Sequence, residues 1–333
     1  MKSLPTVRLA TAIALPVLAA AGCSNSAGSE TSKAEDVKVY YLAKRLDQGY
    51  FQSEVKGVEA KAKELGIDVE VLDSRSDGNV MTSNLETALI QGGDGVIIVV
   101  PDQKLAPAVL AKTREADVPV LALDDPMIDS NGDAAPFLGY EFEKIGTEVG
   151  DFLAELAADQ GWAADGTLKA AALTFNEVSS CTERTDATKA ALLDNVDGLT
   201  EQDILETNYA GANTDGGLQA MQGLLTANPE VEHWLVYSCN EEGVVGAVRA
   251  LESAGVADGS CGVGIGDGAL AKIEMLKDEA NAYCGNVFID GEENGGIAVQ
   301  LMYDALTGEQ DLPASTLSPG VRVTRDNAAK VFS

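Results

Sequence analysis

Short apolar, β-rich runs alternate with amphipathic stretches along most of this chain. Val37 to Ala43 reads as a strand. Phe51, Val55, Val58, Ala62 and Leu65 then recur at helical spacing on one face, and Gly66 supplies the stop. Ile67 to Leu72 predicts the next strand and Asn79 to Ile90 the next helix. Gly95 to Val100 carries no polar side chain, as expected of a parallel strand covered on both faces. Gln103 to Glu115 predicts a helix, and Val118 to Leu123 a strand that ends at Asp124 and Asp125. The rhythm then restarts. Strands are expected at 168–174, 203–206, 234–237 and 262–265, with helices near 182–194, 214–227, 241–254 and 269–277.

Two runs of strand–helix–strand units in one chain predict an α/β fold of two doubly wound, Rossmann-like parallel-sheet domains. No long Pro- or Ser-rich linker separates them, so the junction reads as a narrow hinge crossed several times. The helix near 290–306 and the strand near 319–324 read as returns that complete the first and second domains. The expected lobes are 37–140 with 287–317, and 141–286 with 318–333. The hinge crossings are expected near Tyr140-Glu141, Gly285-Asn286 and Ser318 to Gly320.

The amino end breaks the pattern. Lys2 and Arg8 precede an apolar run of about 13 residues, Leu9 to Ala21, followed by Gly22 and Cys23. That run is short of the roughly 20 residues that span a bilayer. A polar stretch, Ser24 to Glu30, follows it. Residues 1–22 therefore read as an export signal, Cys23 as a lipid-bearing first residue and 23–36 as a flexible tether. One departure is Ala20, which stands three residues before Cys23 where Leu or Val is usual.

Charge narrows the possible partners. A net charge of −30 argues against nucleic acid, because little here would neutralise phosphates. It also disfavours attachment to anionic lipid, which leaves lipid on Cys23 as the expected membrane contact. One histidine, His233, excludes a multi-histidine zinc site. Four cysteines follow Cys23, an even number that in an exported chain permits two disulfides in three connectivities. Residues 262–264 and 282–284 read as consecutive strands, so Cys261 and Cys284 can meet across them and leave Cys181 with Cys239. The alternative is four buried free thiols.

Ligands of open α/β sheets bind outside the carboxyl ends of the strands. Here those ends carry Lys44, Gln48, Asp125, Asn176-Glu177, Asn240 and Asp267, with Arg184 on a following helix. Carboxylates accept, Lys and Arg donate and amides do both, a mixture suited to a neutral polyol. Tyr50 and Phe51 can stack on the C–H face of a pyranose. Each residue also has a plain reading. Asp at a strand end often caps a helix, Asn240 can cap the one after it, and Phe51 belongs to the apolar stripe.

The segments 100–105, 121–125, 228–235, 246–250 and 323–327 carry a resemblance that extends from about Val37 to Phe332. In them the chain resembles the arabinose-binding branch of the type I periplasmic sugar-binding family of ABC importers. The resemblance implies two lobes joined by a three-strand hinge that close on a monosaccharide, L-arabinose or a similar pyranose. It further implies delivery to an ABC permease and its ATPase by a monomer, without cofactor, metal or catalysis. Lys44, Asp125, Arg184 and Asn240 fall on that family's sugar hydrogen-bonding positions. Tyr50 falls on its aromatic position beside Phe51, and Val178 and Ser180 fall on lining positions. Asp124 joins the set with less direct contact. The departures are Gln48 in place of a Glu, Tyr140 and Cys239 in place of Met, and Asp267 in place of an Asn. The last carries a one-residue ambiguity with Gly266.

Other functions fit less well. Asp124 and Asp125 as a glycosidase pair would point to opposite sides of a strand end. The glycines at 262, 264 and 266 lack the spacing of a dinucleotide loop. A repressor's sensing half would lack the export signal and would carry a basic DNA-binding segment. A chemoreceptor or quorum-signal binder of the same fold is compatible with the sequence.

Overall fold

A computed structural model describes residues 37–332 except Asp165 and Ala280. The export signal and Cys23 lie outside the described residues. The first lobe is built from β1 (Lys38–Ala43), α1 (Gly49–Leu65), β2 (Asp68–Asp73), α2 (Gly78–Ile90), β3 (Gly95–Ile98), α3 (Ala106–Glu115), β4 (Val120–Leu123) and β5 (Phe137–Tyr140). The second follows with α4 (Phe142–Gln160), β6 (Leu168–Thr174), α5 (Ser179–Asn195), β7 (Ile204–Asn208), α6 (Thr214–Ala227), β8 (His233–Ser238), α7 (Glu241–Ala254), β9 (Ser260–Gly266), α8 (Ala271–Met275) and β10 (Tyr283–Phe288). The chain then returns through α9 (Gly291–Thr307) and β11 (Ser315–Ser318) before β12 (Val321–Thr324) and α10 (Arg325–Val331).

Two six-stranded sheets result, ordered β11-β5-β4-β3-β1-β2 and β12-β10-β9-β8-β6-β7. The first is parallel throughout, and β12 runs antiparallel to β10 in the second. Alternation along β1 divides the first core into two layers. Val39 and Tyr41 face α1 and α9 with Val58 and Met302, while Tyr40 and Leu42 face α2 and α3 with Met81 and Val109. In the second lobe, Trp234 and Val236 pack with Met221 and Val248, and Leu235 and Tyr237 with Val149 and Leu192. Each large apolar side chain buried this way stabilises the fold by about 1.5–3 kcal/mol.

Glycine fixes how closely α9 lies on α1. A β-carbon on Gly57 would fall 1.8 Å from the carbonyl oxygen of Glu292, and one on Gly295 would fall 2.1 Å from that of Glu54. The return helix is thereby seated on the first lobe.

The chain passes between the sheets after β5, after β10 and between β11 and β12. Gly285 and Asn286 are paired with Thr324 and Val323 inside the second sheet, so the middle passage falls at Ile289 and Asp290. The strand β10 thus runs two residues past the boundary suggested by the sequence.

Candidate functional site

In both sheets the strand order reverses beside the first strand of the lobe, β1 between β2 and β3, and β6 between β7 and β8. The loops leaving those carboxyl ends diverge there, which opens a crevice at each switch point. The two crevices face one another across a cavity of about 670 Å³. Lys44, Gln48, Tyr50, Phe51, Asp124 and Asp125 line it from the first lobe, and Val178, Ser180, Arg184 and Asn240 from the second. Tyr140 and Asp267, both in the expected set, lie outside the wall.

Asp125 is the junction of the two halves. One carboxylate oxygen accepts from Lys44 Nζ at 2.7 Å and the other from Ser180 Oγ at 2.6 Å, so it is held from both lobes. Asp124 has φ of +59°, a left-handed conformation that Asp tolerates better than most residues, and this turns it to the other side of the chain. It accepts from Tyr50 at 2.8 Å and from Asn294 Nδ2 at 3.3 Å. Burial, reinforced by the charge of Asp125, pushes its carboxyl up to about 6. Behind it Glu54 is wholly buried, accepts from the Tyr41 hydroxyl, and leaves Oε1 without a partner among the described residues. Burial and the nearby Asp124 raise the Glu54 carboxyl well above the usual carboxylate range.

Tyr140 supports this layer from behind. Its hydroxyl donates to the Asp290 carbonyl at 3.0 Å and lies 3.1 Å from that of Tyr50. Tyr50 stands edge-on to Phe51, with ring centroids 5.2 Å apart. Phe51 is both a core residue and part of the cavity wall.

Arg184 is buried, with its guanidinium 4.8 Å from the centre of the Phe142 ring. One donor reaches the Cys239 carbonyl at 2.9 Å, and Nε has no partner among the described residues. Asn240 does cap α7, its Oδ1 accepting from Gly243 N–H at 3.0 Å, while its amide donates to the Ala212 carbonyl at 2.8 Å. Gln48 donates to that same carbonyl from the opposite lobe at 2.9 Å. The loop after β7 is therefore gripped from two sides. Cys239 also lines the cavity and is joined to Cys181, with their Cα atoms 4.8 Å apart, while Cys261 is joined to Cys284 across β9 and β10.

Asp267 turns away from the cavity, accepting from Ser53 Oγ at 2.6 Å and Ala269 N–H at 3.2 Å. Gly266 lines the wall in its place. A β-carbon there would meet the Glu241 carboxyl carbon at 2.9 Å, so the Glu241 side chain occupies the space a side chain at 266 would take. Glu241 itself receives the backbone N–H groups of Leu270 and Ala271 at 3.0 and 3.1 Å. Burial, then the neighbouring Glu242, pushes its carboxyl up to about 8.

Glu242 and Asn79 also line the cavity and were missed from the sequence. Acidic residues in the first turn of a helix read as partners of the helix dipole, which concealed Glu242. Its place two residues beyond Asn240, at a strand end, was the available signal.

Two lobes that present the carboxyl ends of their sheets to one polar cavity define a bilobed ligand-binding protein. The sequence pattern of the periplasmic binding protein domain matches residues 39–310, and the chain belongs to that family. It is 30% identical over 308 residues to the L-arabinose-binding periplasmic protein of Escherichia coli K12, covering 90% of this chain and 91% of that one. It is 29% identical over 321 residues to the ABC transporter L-arabinose-binding periplasmic protein of Azospirillum brasilense, covering 94% of each. An Actinobacillus succinogenes ABC transporter periplasmic solute-binding protein, solved with bound D-allose, matches with a TM-score of 0.73 and 21% identity. That match covers 88% of this chain and 99% of the other. The fold is that of the type I periplasmic binding proteins. No helix among the described residues is long and apolar enough to cross a membrane.

Proposed function

We propose that this chain is the extracytoplasmic sugar-binding component of an ABC importer. It captures a neutral monosaccharide, L-arabinose or a similar pyranose, between its lobes and delivers it to the permease and its ATPase without altering it. The observation that carries this reading is the composition of the cavity. Acceptors (Asp125), donors (Lys44, Arg184) and amides (Gln48, Asn240) converge from both lobes beside the rings of Tyr50 and Phe51. Vicinal hydroxyls need donors and acceptors together, and an aromatic ring suits the apolar face of a sugar. The two arabinose-binding relatives support L-arabinose as the first ligand to test. Lipid on Cys23 would hold a monomer at the outer face of the cytoplasmic membrane.

Calorimetry against L-arabinose, D-galactose, D-fucose and D-ribose tests this directly. At least one should bind with a Kd on the order of micromolar or tighter. It should be recovered chemically unchanged after incubation. Silence from every sugar, or turnover of any, overturns the reading. For the anchor, detergent partitioning of wild type and Cys23→Ser should move only the variant to the aqueous phase.

A further inference from the structure

We infer that Glu242 is a ligand-reading residue, supplying the carboxylate acceptor that position 48 lacks in this chain. This rests on the sugar-binding reading above and names a contact of that same site. The argument follows the carboxylates around the cavity. Asp125 accepts from Lys44 and Ser180 and keeps lone pairs for a hydroxyl between the lobes. Asp124 is taken by Tyr50 and Asn294, Glu241 by two backbone N–H groups of the segment entering α8, and Asp102 by the Lys104 N–H, while Glu177 is exposed at the rim. Glu242 lines the cavity, and no hydrogen bond joins its carboxylate to another residue among the described residues.

Its position matches the function. Glu242 stands in the first turn of α7, two residues after Asn240, whose amide shares the Ala212 carbonyl with Gln48. Arg45 and Asp47, on the loop that carries Gln48, act electrostatically on Glu242, so an acceptor there serves the same side of the cleft as Gln48. The amide nitrogen of Gln48 is committed to Ala212, and Asp267 faces Ser53 instead of the cavity. Neither residue brings a carboxylate to this side. Once pH exceeds the raised value of about 7, the Glu242 carboxylate is ionised and can only accept, so the ligand group opposite it must donate, as a sugar hydroxyl does. Arg45, whose charge acts on Glu242, is already forked onto Asp47 and donates to the Gly211 carbonyl at 3.0 Å, which leaves Glu242 available.

The test compares wild type, Glu242→Gln and the double variant Gln48→Glu with Glu242→Gln. Each is titrated with L-arabinose, D-galactose, D-fucose and D-ribose after its melting curve is recorded. Glu242→Gln should weaken the best-bound sugar about tenfold or more and narrow the differences among the four, as expected when a charged acceptor is lost. The double variant, which returns a carboxylate to the same side, should recover part of that loss. Affinities within twofold of wild type in Glu242→Gln, with the same order of sugars, overturn the inference while the sugar-binding reading stands. A wild type that binds none of the four overturns that reading and the inference with it. If Glu242→Gln does not fold, Glu242→Asp, which keeps the charge and shortens its reach, decides against wild type: the same affinities and the same order contradict the inference, and a weakened best-bound sugar or a changed order supports it.

Discussion

Gln103 of the first lobe and Ser179 of the second hold one another in both directions across the cleft. The Gln103 amide donates to Ser179 Oγ at 2.7 Å, and its carbonyl oxygen accepts from the Ser179 backbone N–H at 2.8 Å. Each bond is worth about 1 kcal/mol net, so Gln103→Ala should shift the lobes toward the open arrangement by roughly tenfold or more. Solution scattering checks this. The sugar-free variant should show a larger radius of gyration than sugar-free wild type, and the two should converge once sugar is bound. Identical profiles without sugar would remove the latch from the account.

The disulfides join residues 58 and 23 positions apart in the sequence. Loops of that size restrict the unfolded chain by about 3–4 kcal/mol each in the chain-entropy treatment. Reduction should therefore lower the melting temperature by on the order of 10 °C or more. Alkylation without reductant should label none of Cys181, Cys239, Cys261 and Cys284 in the folded protein. Four labelled cysteines would refute both bridges.

Five carboxyls with raised pKa values, Glu54 and Glu183 among them, should make the sugar-free protein less stable as pH rises. Burial, the largest cause in each, pushes Asp124, Glu242 and Glu241 up to about 6, about 7 and about 8. Each binds its proton more tightly folded than unfolded, so the native state carries more protons between the ordinary carboxylate range and those values. Stability then falls with rising pH across that window. The contribution is complete below the ordinary carboxylate range and is lost as pH passes through the raised values. Urea midpoints should decline from about pH 5 to about pH 8, less steeply in Glu242→Gln. A midpoint that is flat or rises over that range would contradict the assigned burial.

Much of this architecture was legible because its periodicity is strong. The stripe from Phe51 to Leu65 is α1 with Gly66 left-handed at its end, and the helix expected over 241–254 is α7. Other elements carried weaker signals. β5 and β11 are four-residue strands that pair with each other at the edge of the first sheet, too short for a repeating pattern to emerge. α4 was different: Phe142, Ile145, Val149, Phe152 and Leu153 do recur at helical spacing, and the helix was overlooked beside the hinge. At the cavity, strand-end logic reached Lys44, Asp125 and Asn240, because a strand end fixes where the next residues emerge. It did not separate Gly266 from Asp267. Which of the two faces the cavity depends on how the turn leaves β9, where Gly268 takes φ of +82°.

Titration of L-arabinose into wild type and Asp125→Ala, side by side at one pH, tests the central claim most directly. Asp125 meets Lys44 and Ser180 from the two lobes and lines the cavity between them. Loss of a charge-assisted hydrogen bond to a sugar hydroxyl is worth about 1.5–3 kcal/mol. Wild type should therefore bind, and Asp125→Ala should bind roughly 10- to 100-fold more weakly or not at all. Equal affinity in the two proteins, or no binding by wild type to this or any other monosaccharide, would contradict a sugar held at Asp125 between the lobes.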